Sequence, residues 1–398
     1  LLRQGGFFSY IVANKWLRAN YGKPLRNWMK QQHIVEIVDF GDLPVFTQAT
    51  TYPCIIAIQK STPNATFRAS TIKSMDFNDL KAHVAENHYE VQQDTLEENG
   101  WAMIDRKSQK LLNKLRQIGV SFEKCVNKKV YRGIVTGLNE AFVLDEETKK
   151  KLIADDPKCT EIIKPFLAGR DVKRYQPVST KNHVIFARRG IQIEKYAAVR
   201  DYLSQYKQKL MPRPKDWKGQ KWQGRKPGSY QWYEIQDTID YHGEFEKPKI
   251  IYPNICKRPE FSFDEKGLYT NQKCFIISMD DKYLLGILNS LVTAFLFASL
   301  LPKLRGGFYE PSYVFLKDFP IREINFHNPS DVKRHDHIVI LVEQMLELNA
   351  KLSRTKSPQS KTALQRQIAT TDRQIDKLVY ELYELTDEEI EIIETANK

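Results

Sequence analysis

The chain has 398 residues, with 61 Lys plus Arg against 49 Asp plus Glu, a formal charge of +12, and 41% hydrophobic residues. That length and apolar content give room for roughly two to three domains with cores of their own, and exclude a collagen, a wholly disordered chain and a disulfide-stapled miniprotein. The positive charge points to a polyanionic partner, nucleic acid first and an acidic membrane surface second.

The chain opens Leu-Leu-Arg-Gln-Gly-Gly with no initiator Met, already inside a structured pattern, and reads as a fragment whose N-terminal part is missing. After a turn at Gly5-Gly6, residues 7–12 (FFSYIV) form a continuous apolar run that predicts a buried parallel strand. The spacing of Leu25, Trp28 and Met29 predicts a helix over 17–32. Residues 34–40 predict a second strand and 52–59 a third, its partner across the loop 41–51. Three strands and one helix cannot close a domain, so 1–60 reads as half of an α/β unit. Residues 61–125 read as a connecting segment of short strands, then a helix over 107–118 on Leu111, Leu112 and Leu115.

Residues 126–325 read as an irregular mixed α/β domain, with strands at 131–143, 184–187, 249–252 and 274–278 and helices at 194–209 and 283–301. The stretch 284–301 carries 18 uncharged residues, the lower limit for a membrane span. Asn289, Ser290, Thr293 and Ser299 interrupt it and Pro302 ends it, so it is read as a buried helix, with no membrane partner. Residues 326–398 read as a helical hairpin. Ile338, Leu341, Val342, Met345, Leu348 and Leu352 keep helical spacing, and so do Leu364, Ile368, Ile375, Leu378, Val379 and Leu382 after a polar break at 357–360. Asp387 opens a short acidic helix.

Five widely spaced cysteines, Cys54, Cys125, Cys159, Cys256 and Cys274, include no C-x-x-C pair. They argue against a disulfide framework or structural zinc site and for a cytoplasmic protein. The densest chemical signal is 207–233. Lys207, Lys209, Arg213, Lys215, Lys218, Lys221, Arg225 and Lys226 stand against Asp216 alone, interleaved with Trp217, Trp222, Tyr230, Trp232 and Tyr233 and broken by Gly and Pro. Such a loop can follow phosphates while its aromatics stack or wedge. The bland alternative is a solvated loop with its tryptophans tucked inward, and Trp232 and Tyr233 are assigned to the core. Arg225 and Gln223 are the candidates for reading base edges, with Lys215, Lys218, Lys221 and Lys226 on phosphates. Arg188-Arg189, Lys257-Arg258, Lys303 and Arg305, followed by Gly306-Gly307, are further basic candidates. His335-Asp336-His337 falls where a helix starts and reads as capping rather than metal binding, since i,i+2 residues do not share a helix face. Glu246-Lys247 and Glu265-Lys266 are read as chance pairs rather than nuclease motifs, so no catalytic residue and no metal ligand is assigned.

Several stretches together resemble a known family. Gly5 through Val12, Asn14-Lys15-Trp16-Leu17 and Tyr21 through Arg26 are similar to late catalytic-domain motifs of N6-adenine DNA methyltransferases of the gamma arrangement, and 39–60 resembles their motif VIII region. Residues 132–142, 163–172, 245–252, 285–290 and 378–386 resemble the TaqI-like specificity domain and its helical tail, in the order found in fused type II (IIG-like) restriction–modification enzymes. The resemblance implies a Rossmann-like methyltransferase tail over 1–60, a target-recognition domain over 126–325, and double-stranded DNA as partner. It implies S-adenosylmethionine for the parent enzyme, and Mg if a nuclease is fused upstream. It also implies that Phe46 stacks on the extruded adenine, the alternative being that the ring plugs the α/β core. The glycine-rich cofactor motif and the Asn-Pro-Pro-Tyr motif precede this stretch in the family and are absent here. The chain is therefore expected to bind no cofactor, to lack catalysis, and to depend on a missing N-terminal catalytic half. The alternatives are a protein-interaction subunit docking through 332–385 and the specificity half of a nuclease-free phage-defence methyltransferase.

Overall fold

A computed structural model describes residues 2–49, 51–98 and 100–397; Leu1, Thr50, Asn99 and Lys398 lie outside the described residues. The chain opens with β1 (Phe7–Ala13), α1 (Lys23–Lys30), β2 (His33–Asp39), β3 (Pro53–Gln59), β4 (Thr66–Thr71), α2 (Leu80–Asn87), β5 (Tyr89–Gln92) and α3 (Arg106–Ile118). The five strands form one sheet in the order β1-β3-β2-β4-β5. β2 and β3 run antiparallel across the 41–51 loop, as their spacing predicts, with Ile34 facing Ile58 and Ile37 facing Ile56. β2 and β4 are parallel, and the segment 61–125 thus contributes two strands to the sheet. Its core gathers Trp16, Met29, Ile34, Ile37, Ile56, Phe67, Val91 and Trp101 on one face and Val38, Phe40, Ile72 and Val84 on the other.

Two expectations for this region are corrected. The run 7–12 is an antiparallel edge strand, not a buried parallel one, and Phe7 and Tyr10 are 64% and 60% exposed. An apolar run reports what a strand can bury, not whether anything covers it. The helix expected over 17–32 is confined to α1, because Pro24 favours the first turn of a helix rather than its interior. The preceding single turns are pinned by the buried Arg26, which donates to the carbonyls of Trp16, Ala19 and Glu98.

The middle of the chain holds two four-stranded sheets. In one, Lys249–Pro253 lies between Ser262–Asp264 and Cys274–Ile277, with Val130–Arg132 at the edge. In the other, Ile163–Leu167 lies between Tyr269–Thr270 and His183–Ile185, with Val143–Leu144 at the edge. The strand expected over 131–143 is split between them. A Cβ at Gly133 would stand 2.0 Å from the Asn271 carbonyl, and Gly137 takes φ +84°, so the chain turns away and Asn139–Phe142 coils into one helical turn. The helix expected over 194–209 is likewise two pieces, Ala197–Ser204 and Lys207–Leu210.

The uncharged run 284–301 is also two helices, Lys282–Leu288 and Leu291–Leu300, bent by 53°. The polar pair at the bend is built in. The Asn289 side chain exchanges hydrogen bonds with both backbone groups of Phe261 (3.1 and 2.9 Å), and the Ser290 hydroxyl caps the second helix by accepting from Thr293 N. No single described helix is long and apolar enough to cross a membrane. Both pieces are buried under the helical hairpin, Pro329–Arg354 and Pro358–Leu382, which is followed by Asp387–Ala396. Gly286 makes the approach close, because a Cβ there would meet Ile338 at 2.9 Å. Arg174 ties the hairpin to the middle sheets through a double hydrogen bond to Asp372, both at 2.6 Å, and Asp376 accepts from Leu291 N. Asn328, not the His335-Asp336-His337 run, caps the first hairpin helix; His335 bonds Asp336 and packs beside Tyr283 and Phe326. Among the described residues no cluster of His, Cys, Asp and Glu is arranged to hold a metal ion.

Candidate nucleic-acid interface

The basic loop is an excursion that leaves and re-enters the fold at one point. Pro212 and Arg225 form an isolated bridge, Arg213 N donates to Arg225 O at 3.0 Å, and Arg225 N donates to Met211 O at 2.9 Å. The Arg225 side chain closes the base. Its guanidinium donates to the carbonyls of Leu210 (2.7 Å), Thr136 (3.2 Å), Glu234 (2.7 Å), Gln231 (3.2 Å) and Trp232 (2.9 Å). Those five bonds match the five N–H donors an arginine has. The group is 5% exposed and lies over the Tyr230 ring at 4.3 Å. Burial pulls its pKa down to about 10, against the opposing pull of Tyr230 and Glu234.

Arg225 is therefore corrected from base reader to anchor, since no donor is left for DNA. Arg189 is corrected with it. It donates to the Ile235 and Gln236 carbonyls and pairs with the buried Glu234, which also accepts from the backbone of Gly190 and Gln231. Tyr230 is buried between the two guanidinium groups, with Arg189 at 5.0 Å. Sequence could not separate these arginines from their neighbours, because a buried and an exposed arginine contribute the same composition.

What remains outside is a cationic rim. Arg213, Lys215, Lys218, Lys221 and Lys226 are exposed and make no ion pair among the described residues, and Arg188 is exposed likewise. Trp217 is 43% exposed and meets Trp222 edge-on at 5.0 Å, while the Trp222 indole N–H donates to Met211 O. Gln223 stands exposed with its amide on Gln208. Trp232 and Tyr233 pack against the core of the middle sheets.

A second basic patch surrounds the short hairpin formed by Lys303–Leu304 and Phe308–Tyr309. Lys303 and Arg305 are exposed, the Lys257 ammonium sits over the Phe308 ring at 5.1 Å, and Arg258 pairs with Glu260. This hairpin reaches the 41–52 loop of the first sheet. Phe46, 45% exposed, and Arg305 line one cavity of about 120 Å³ together with Asp42, Pro44 and Tyr52. The loop is held at its start by Asp39, whose carboxylate accepts from the Asn14 side chain (2.7 Å) and from Gly41 N (2.9 Å). It is held at its far side by the hairpin turn. Gly306 N and Gly307 N donate to the Asp42 carboxylate at 2.7 and 3.0 Å, and Arg305 N donates to the Tyr52 hydroxyl at 3.0 Å. The sequence reading missed Asp42 and Tyr52; the adjacent Gly306-Gly307 pair was the one visible signal of a special turn.

Comparison with known proteins finds relatives for both parts of the chain. Residues 164–321 match the TaqI-like C-terminal specificity domain and residues 1–46 match the Eco57I restriction-modification methylase family. The chain is 26% identical over 330 residues to the type II methyltransferase M.PaeR7I of Pseudomonas aeruginosa, covering 77% of this chain and 54% of that protein. It is 21% identical over 423 residues to the type II methyltransferase M.BstVI of Geobacillus stearothermophilus, covering all of this chain and 67% of that one. The fold is similar to that of the type IIL restriction-modification enzyme MmeI, solved in complex with DNA, with TM-score 0.61 at 12% identity over 98% of this chain and 50% of that one. Residues 164–321 are thus similar to the TaqI-like specificity domain, and the chain is similar to type II methyltransferases, spanning about half to two thirds of the length of these relatives.

Proposed function

We propose that this chain is the sequence-reading portion of an adenine-N6 DNA methyltransferase from an IIG-like restriction–modification system, and that it grips duplex DNA through the 211–226 loop. The observation that carries this reading is the contrast within that loop: a wholly satisfied Arg225 beneath, and above it five exposed cations that make no ion pair among the described residues. A loop whose frame is fixed from inside presents its charges to phosphate without first ordering itself. The TaqI-like match over the same residues supports the reading, as does the fold similarity to MmeI, solved with DNA. In this reading the first sheet is the tail of a Rossmann-like methyltransferase domain and Phe46 stacks on an adenine extruded from the duplex.

S-adenosylmethionine then belongs to the parent enzyme, and Mg only to a fused nuclease. The chain has no Asn-Pro-Pro-Tyr motif, and no methyl-transfer step is assigned to its residues. The docking-subunit alternative fits less well, because Ile338, Val342, Met345, Ile375 and Val379 of the helical hairpin are already packed into the chain's own core.

Selection from a randomised duplex pool on the immobilised chain, at two salt concentrations, tests the proposal. Enrichment of a short motif that persists at the higher salt is expected. Sequence-blind binding that vanishes with salt would overturn it.

A further inference from the structure

The Asp42 bond joins two units that the sequence keeps 264 positions apart. Nothing in the folding of either unit alone requires it. The 303–309 turn already closes as a two-stranded hairpin, and the 41–52 loop already has Asp39 and the buried Phe40 at its root. The turn is nevertheless shaped for the contact. Gly306 and Gly307 take φ +81° and +74°, left-handed backbone at two successive residues. That conformation aims both N–H groups at one carboxylate oxygen, an arrangement akin to a backbone nest for an anion. Beside it the Tyr52 hydroxyl accepts from Arg305 N, so both ends of the Phe46 loop meet the same turn. Between these points Phe46 projects into the cavity that Arg305 also lines.

We infer that the Arg305-Gly306-Gly307 turn is a positioning element: it holds the Phe46 loop, through Asp42, at the place where an extruded base is received, and so links duplex reading to base capture. The inference rests on the proposed function, and it assigns Asp42, Gly306 and Gly307 a role in base capture rather than in duplex affinity. The linkage is reciprocal. A duplex that fixes the specificity unit steadies the loop, and a loop left untethered receives the base poorly.

Two measurements on the 398-residue chain test this. Without DNA, hydrogen exchange of the 43–49 backbone is expected to be at least tenfold faster in Asp42→Ala and in Gly307→Ala than in the unaltered chain, with Asp42→Asn, which keeps one acceptor oxygen, in between. Gly307→Ala adds strain but no clash, since nothing lies within 4 Å of its Cβ position. Unchanged exchange would overturn the positioning role while leaving duplex recognition intact. With DNA, the probe is a duplex carrying one extrahelical 2-aminopurine. Asp42→Ala is expected to lose at least threefold of the fluorescence change at saturation and to keep affinity for the fully paired duplex within twofold. A parallel fall in both, or no change in the fluorescence, would overturn the inference. Failure of the unaltered chain to bind either duplex would overturn the function proposed above; accelerated exchange alone would then leave Asp42 a structural tie.

Discussion

Two loops carry the candidate DNA-facing groups, and they are held in opposite ways. The 211–226 loop is pinned by a cation from within its own unit, with Arg225 pointing inward and meeting five carbonyls. The 41–52 loop is pinned by an anion from outside, with Asp42 pointing outward and meeting two amides of a distant turn. The neck of the first loop therefore holds as long as its own unit is folded. The second keeps its shape only while two units stay docked. In the function proposed, grip is therefore autonomous and base capture is conditional.

The strongest way to break that comparison is Arg225→Met. It strands buried carbonyls that cost about 1–3 kcal/mol each when unpaired. A loss of about 3 kcal/mol or more is expected, read as a fall in thermal midpoint on the order of 10 °C. A loss under about 1 kcal/mol would mean that the loop is not framed by this side chain. Arg225→Lys should rescue little, since one ammonium cannot span the fork.

The joint between the helical hairpin and the middle sheets sharpens the comparison, because there a buried charge is poorly compensated. Burial and the neighbouring Asp372 raise the Asp376 carboxyl to about 7, against the Leu291 N–H and Arg174; Glu394 adds to the rise. The folded state thus keeps a proton that the unfolded chain releases near pH 4. Stability should fall as pH rises from about 4 to 7 and level off above. Asp376→Asn should flatten that slope and raise stability at pH 8 by on the order of 1–2 kcal/mol, measured by urea unfolding. An unraised urea midpoint at pH 8 would refute it.

Lys218→Ala with Lys221→Ala tests the outer side of the autonomous loop. The thermal midpoint should stay put, while the salt slope of duplex binding should flatten by up to ~1.8 units, about 0.9 per lost phosphate contact. An unchanged slope would remove the loop from the interface. Phe46→Ala should likewise change stability little, within about 0.5 kcal/mol because the ring is half exposed. In a full-length parent the same change should reduce methylation more than duplex binding, and equal losses would count against stacking on an extruded base.

The elements that follow a period were legible in the sequence. The β2–β3 pairing, α3 and the helical hairpin all appear where their apolar spacing puts them. Features fixed by distant partners were not. The run 7–12 is apolar, yet nothing local says that it lies at a sheet edge. The bend at Asn289-Ser290 depends on the Phe261 backbone, 28 positions away in sequence. The same holds at the candidate interface. The basic loop was visible as composition, whereas the inward turn of Arg225 and the tether at Asp42 exist only in three dimensions, and both reverse or enlarge what composition suggested.

The closed neck of the basic loop has an evolutionary consequence. Because the chain departs and returns at the Pro212–Arg225 bridge, residues 213–224 form an excursion on a fixed mount. Doubling the length of a flexible insert costs only about 0.6 kcal/mol in closure entropy. Grafting a foreign segment between those two points would change what the protein touches without re-engineering what holds it together, which is the kind of freedom a lineage under pressure to diversify its targets would exploit.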